Sequence, residues 1–147
     1  MKKLHAFASI ISFLCISSFL ISTIIVDLFC SYETIAILKS LIVLPGLIVL
    51  IPAIALTGAT GFRISRGRKG KIIEKKKKRM PFIALIGILI MIPSAILLNM
   101  WASAGEFGTK FWWVQLIEVV GGGVNLFLMS INMKDGFVLT GKLKLKR

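Results

Sequence analysis

Gly61-Phe62-Arg63-Ile64-Ser65-Arg66-Gly67-Arg68-Lys69-Gly70-Lys71-Ile72-Ile73-Glu74-Lys75-Lys76-Lys77-Lys78-Arg79 holds ten of the nineteen Lys and Arg residues of the chain and lies between two long apolar runs. In a water-soluble protein such a cluster would suggest a nucleic-acid contact. Here its neighbours give it another meaning. On either side the sequence becomes almost wholly apolar for about the ~20 residues that a helix needs to cross the ~30 Å hydrocarbon layer of a bilayer.

The whole chain repeats that alternation. It is 147 residues long, one domain's length, 56% hydrophobic, with a mean hydropathy of +0.90, well above the mix of a soluble domain. The apolar runs are 4–26, 34–56, 82–101 and 111–131. They do not alternate as barrel strands would. Helices satisfy their own backbone hydrogen bonds in lipid, so the reading is an all-α membrane protein with four transmembrane helices in an antiparallel up-down bundle. The Met-Lys-Lys start imitates a signal peptide. The run after it exceeds a 7–15-residue h-region and shows no small-residue cleavage site, so it reads as an uncleaved first span.

Lys and Arg set the expected orientation. Lys2 and Lys3, the basic loop 61–80 and the tail 134–147 place seventeen of the nineteen on one face, while the opposite loops carry Asp27, Glu33, Glu106 and only Lys110. Both termini and the basic loop are expected in the cytoplasm. Tyr32, Trp101, Trp112 and Trp113 fall at the outer interface, where amphipathic rings favour headgroup depth. The net charge of +13 thus reports topology and attraction to anionic inner-leaflet lipid, worth ~1 kcal/mol per charge near the surface. No aromatic platform accompanies it, so nucleic acid is not an expected partner. The alternating tail Lys142-Leu143-Lys144-Leu145-Lys146 is expected to lie on the inner leaflet. Gly58-x-x-Gly61-Phe62 and Asp135-Gly136-Phe137 read as turns at the inner face.

Small and polar residues mark the faces that helices turn to one another in lipid. In the fourth span Gln115, Gly122, Asn125, Met129 and Asn132 lie within ~60° of Glu118 by helical geometry, with Trp113, Leu116, Val120, Phe127 and Ile131 on the other side. The second span carries Lys39, Gly46, Ala53 and Thr60 at seven-residue intervals, and Pro45 and Pro52 are expected to bend or break it. The first groups His5, Ala8, Ser12, Cys15 and Ser22. The third groups Ala84, Met91, Ala95 and Ala102, with Asn99 at the edge and Pro93 as a kink.

Lys39 and Glu118 lie ~7 and ~10 Å inside the outer ends of their spans, in the same leaflet. Charges at that depth are costly. A buried Lys39–Glu118 pair with Gln115 and Asn99 nearby is the sharpest local expectation; the alternative is that Lys39 snorkels outward and Glu118 is protonated or bonded to polar neighbours. The stripe of Gln115, Gly122, Asn125, Met129 and Asn132, with Asn99, is a ligand or packing surface. His5, the single histidine, is a weak haem-ligand candidate, its sixth ligand coming from Met80, Met129, Met133 or His5 of a second copy; the plainer reading is an interfacial histidine bonded to backbone or lipid phosphate. Cys15 and Cys30 stand ~22 Å apart along one helix, beyond disulfide reach. Neither paired carboxylates, a Ser-His-Asp arrangement, a nucleotide loop nor metal-ligand spacing is found, so no enzyme activity and no metal site are expected.

Leu56-Thr57-Gly58-Ala59-Thr60-Gly61-Phe62, Lys78-Arg79-Met80-Pro81 and Gln115-Leu116-Ile117-Glu118, running on to Asn132-Met133-Lys134-Asp135-Gly136, resemble a family of small four-span bacterial inner-membrane proteins. The resemblance covers most of the chain. It implies that topology and location and lends no activity or site. The small multidrug-resistance exporters are also short and four-span, but their working glutamate lies in the first helix, where this chain has no carboxylate before Asp27. The expected function is a non-enzymatic accessory, assembly or interaction subunit, partnered by lipid and by a membrane protein or a second copy. The alternative is a bundle that binds haem b, a quinone or another ligand, with a small transporter behind it.

The charge asymmetry generates the first prediction. In intact cells a cysteine replacing Gly67 should resist impermeant thiol reagents, while one replacing Gly108 should label. The reverse pattern would overturn the orientation.

Overall fold

The computed structural model describes residues 1–67 and 69–141. Arg68 and the alternating part of the basic tail lie outside the described residues. Helix dominates, because apolar residues in lipid leave the backbone no other partner than itself. Helix α1 runs unbroken over Lys2–Phe29, a stretch without Pro or Gly. The second rod has three parts: α2 (Tyr32–Leu41), a kinked segment (Ile42–Leu47) and α3 (Ile48–Ser65). The third mirrors it with α4 (Lys71–Ile86), a π-helical segment (Gly87–Met91) and α5 (Ile92–Ser103). Helix α6 (Thr109–Leu139) is the fourth. Each rod is long and apolar enough to cross a bilayer, which makes this a multi-pass membrane protein.

The prolines act unequally. Before Pro45 the backbone leaves helical geometry at Leu44, with φ −132° and ψ 110°, the extended conformation favoured before proline, whereas Ile92 before Pro93 stays helical at φ −65° and ψ −50°. Pro52 lies inside α3 without a break. Pro93 lies inside the continuous third rod, two residues after the π-helical Gly87–Met91 segment. The third rod ends in a Schellman motif: the Gly105 N–H donates to the Ala102 carbonyl at 3.1 Å and the Glu106 N–H to the Trp101 carbonyl at 2.8 Å. Gly105 supplies the φ of +73° that this motif needs.

Two expectations are corrected. The glycine pairs read as turns are helical: Gly58 and Gly61 belong to α3, and Gly136 to α6. Gly61 is there for contact, since a Cβ on it would meet Met80 and His5, and a Cβ on Gly136 would lie 3.4 Å from the Lys76 ammonium. The basic loop 61–80 is also mostly helix. Only Arg66–Gly70 separates α3 from α4, because Lys71–Met80 contains good helix formers and neither Gly nor Pro.

Helix α1 packs on α3 and α6, α2 on α5, and α4 and α5 on α6. Two apolar clusters result. One gathers Ile16, Ile42, Leu47, Leu50, Ala95 and Met129; the other gathers Ile35, Leu98, Ala102 and Phe111. Many of the other apolar side chains, such as Phe7, Leu89 and Phe127, cover the outside, as lipid-facing surface should. Ring stacking closes one end of the bundle: Tyr32 lies on Phe107 with centroids 4.4 Å apart, and Phe107 meets Phe111 edge-on at 4.9 Å. At the other end Arg79 on α4 forms an ion pair with Asp135 on α6.

Close approach of α1 to the kinked rod depends on Gly46. A Cβ there would stand 2.7 Å from Phe19 Cζ and 3.1 Å from the Leu41 carbonyl oxygen, whereas a Cβ on Gly58 would meet nothing within 4 Å. Gly46→Leu should therefore destabilise the protein by about 1–3 kcal/mol through overpacking, and Gly58→Leu should be close to neutral. Melting curves of the two variants in detergent check this; equal tolerance would mean that the contact does not hold the rods together.

Candidate functional site

Seven buried residues on α6, Phe111, Gln115, Glu118, Gly122, Asn125, Met129 and Asn132, follow one another at alternating steps of four and three. That is the seam of a heptad, the narrowest stripe a helix can present to its neighbours. Val120, Leu116, Trp113 and Phe127, off the seam, are exposed. On the second rod, which packs on α1 and the third rod, Ile35, Lys39 and Ile42 are buried at the same steps.

Across the bundle interior, Lys39 Nζ donates to Glu118 Oε2 at 2.5 Å, and Gln115 Nε2 donates to the same oxygen at 3.3 Å. Lys39 is 0% exposed and Glu118 6%. The position follows from chain geometry: Lys39 sits near the end of α2, just before the rod kinks, and Glu118 sits two turns beyond Phe111. The pair separates the two apolar clusters along both rods. Asp27 on α1, which the sequence reading left in an outer loop, is half-buried and lies within electrostatic range of both Lys39 and Glu118. Its Oδ1 is buried without a hydrogen-bond partner. Asp27 is four residues after Thr23, also buried, and that i, i+4 spacing was the signal for an inward face. Asn99 is half-buried, and its Oδ1 has no partner among the described residues.

Below the pair a cavity of about 150 Å³ opens between the rods, a volume on the order of one that holds a benzene ring. Thr23, Glu118 and Asn125 are the polar residues of a wall otherwise built from Ile, Leu, Val, Phe, Met, Ala and Gly. The kinked Ile42–Leu47 segment contributes Ile42 and Leu47 to it, and the π-helical Gly87–Met91 segment contributes Gly87, Ile88 and Met91. A π-helical turn such as Gly87–Met91 is frequent at functional sites because the widened turn displaces side chains from the regular register. Asn125 is 1% exposed, and neither its Nδ2 nor its Oδ1 has a hydrogen-bond partner among the described residues. A Cβ on Gly87 would stand 3.9 Å from that Nδ2. Gly122 packs against Met91 and Leu20. Met129 belongs to the apolar core, and Asn132 is buried with Oδ1 unpartnered.

His5 lies elsewhere. Its Nδ1 is 3.1 Å from both the Thr57 carbonyl oxygen and Thr60 Oγ1, and its ring flanks Gly61 together with Met80. Neither His5 nor Met80 lines the cavity. The structure thus brings His5 to a backbone carbonyl and, across Gly61, to Met80. The hydroxyls of Ser9, Ser12, Ser17 and Thr57 donate to carbonyls one turn back, at 2.7–2.9 Å, which occupies them locally.

No protein-family model, curated protein or solved structure matches this chain.

Removing one member of a buried ion pair strands the other, at a typical cost of ~3–5 kcal/mol, whereas replacing both is often mild. Lys39→Met should therefore lower stability sharply, and Lys39→Met with Glu118→Gln should recover most of the loss. Melting temperatures in detergent decide; strictly additive losses would mean the pair contributes nothing as a pair.

Proposed function

We propose that this protein binds a small, largely apolar molecule within its four-helix membrane bundle and does no covalent chemistry on it. The observation that carries the reading is the Asn125 amide. Burying an amide with no partner costs ~1–3 kcal/mol, and leucine would occupy nearly the same volume at no such cost. An unpaired amide on a cavity wall is accounted for if a ligand supplies its hydrogen bonds. The sequence by itself favoured an accessory or assembly subunit; the cavity and its polar wall favour the ligand-binding alternative. A haem at His5 has less support, because the cavity is lined by neither His5 nor Met80.

In this reading the rods alternate up and down across a bacterial inner membrane. Both termini and the Arg66–Gly70 turn face the cytoplasm. The sorting of Lys and Arg supports that orientation, as does the gathering of Tyr32, Phe107, Phe111 and Trp112 at the end remote from the basic turn.

Asn125→Leu tests the reading. It should raise the melting temperature of the purified protein by a few degrees, since it removes an unpaired buried amide worth ~1–3 kcal/mol. Millimolar 4-propylphenol should raise the melting temperature of the unsubstituted protein and leave that of the variant unchanged. A variant that melts lower, together with no response of the unsubstituted protein to 4-propylphenol, would show that the amide is structural and the binding proposal wrong.

A further inference from the structure

We propose that the ligand comes from the bilayer itself. It is a neutral amphiphile whose head has the bulk of a single ring and bears a hydroxyl or carbonyl. It slides in sideways between α3 and the Gly87–Met91 segment and leaves an apolar tail in that mouth. The proposal rests on the binding reading above and adds the route and the chemical class.

The route follows from residues that belong to two surfaces at once. Ile51 and Ala55 on α3, and Ile88 on the third rod, line the cavity and are also exposed on the outside of the bundle. Ile51 is 45% and Ile88 56% exposed. In a membrane protein that outside is hydrocarbon. The levels agree as well. At about 1.5 Å per helical residue, Ile51 lies roughly 8 Å inside the end of its apolar run nearest the basic turn, and Ile88 roughly 9 Å inside the corresponding end of its own. Asn125 lies roughly 9 Å inside that end of the fourth run by the same rise. Mouth and amide are therefore at one depth, within the hydrocarbon of one leaflet, and the path between them runs parallel to the membrane plane.

Gly87 stands on that path. A Cβ there would be in ordinary contact distance of Asn125 Nδ2, at 3.9 Å, so the missing side chain keeps the front of the amide open. The π-helical Gly87–Met91 segment widens this region from the third rod, and the kink at Leu44 interrupts the second rod beside it.

The chemistry of the head follows from charge and size. Glu118 is on the wall, but its Oε2 already accepts from Lys39 and Gln115, so the pair presents no net charge to attract an ion. Asn125 offers one donor and one acceptor group. A volume of about 150 Å³ admits one ring and excludes a phosphodiester headgroup, which would also carry an uncompensated charge into low dielectric. Phenol-, quinol- or quinone-headed lipids have the required character.

The test uses the full chain in phosphatidylcholine–phosphatidylglycerol vesicles and 4-decylphenol carrying a diazirine at the end of its tail. Illumination should give adducts on Ile51, Ala55 or Ile88, saturable and displaced by excess 4-decylphenol but not by decylbenzene, which lacks the polar group. Gly87→Leu, whose Cβ would meet nothing closer than Asn125 Nδ2 at 3.9 Å, should reduce labelling at least ~10-fold, a change of ~1.4 kcal/mol in affinity, with the melting temperature not lowered. Saturable adducts at the Phe107–Leu116 end, or none at the mouth while 4-propylphenol still stabilises the protein, would overturn the lateral route and leave the binding reading standing. Absence of adducts together with absence of 4-propylphenol stabilisation would remove both.

Discussion

The Lys39–Glu118 ion pair is the constraint on which the arrangement of the bundle depends. In lipid there is little apolar driving force between helices; leucine is as well solvated by acyl chains as by another leucine. Two opposite charges on different rods are another matter. Apart, each would stand in low dielectric without a counter-charge. Together they satisfy one another at 2.5 Å. The contact spans the interior of the bundle, since the second rod packs on α1 and the third rod. Once it is made, the heptad seam of α6 brings Gln115 into the same network, sets Gly122 against Met91 and Leu20 and turns Asn125 toward Gly87.

Departures from regular helix then decide where space is left. Pro45 breaks the second rod next to Lys39, and the Gly87–Met91 segment widens the third at the facing level. Apolar side chains seal the bundle on both sides of the pair, yet between these two segments they do not close. Evenly packed helices would have buried Asn125 against carbon and left its amide with a penalty and no use. The cavity instead leaves that amide on a wall facing unfilled space.

The two ends of the bundle are held by different forces. Rings stack at the aromatic end, where Tyr32, Phe107, Phe111 and Trp112 tie the start of the second rod to the start of α6. At the basic end one carboxylate, Asp135, pairs with Arg79 amid a run of like charges. His5 is fastened to the Thr57 carbonyl and Thr60 hydroxyl nearby. Both ends sit where a polar atom can reach water or headgroups, which leaves the middle as the place where burial forces polar groups to choose a protein or ligand partner.

Composition and charge order alone determined the number of spans, their approximate limits and the polar seam of the fourth. These depend on local quantities: how many apolar residues follow one another, and which of them recur at steps of three and four. Lys39 and Glu118 were likewise legible, because a charge inside an apolar run is conspicuous against its neighbours. Tertiary structure alone decided what depends on residues far apart in the chain. It made close-contact helical glycines of Gly61 and Gly136, which locally read as turns. It drew Asp27 toward the ion pair, set Arg79 on Asp135 across fifty-six residues, and opened a cavity where two irregular segments face each other. Sequence periodicity describes one helix at a time; a cavity is a property of four, and its volume is what remains after every pair of them has packed.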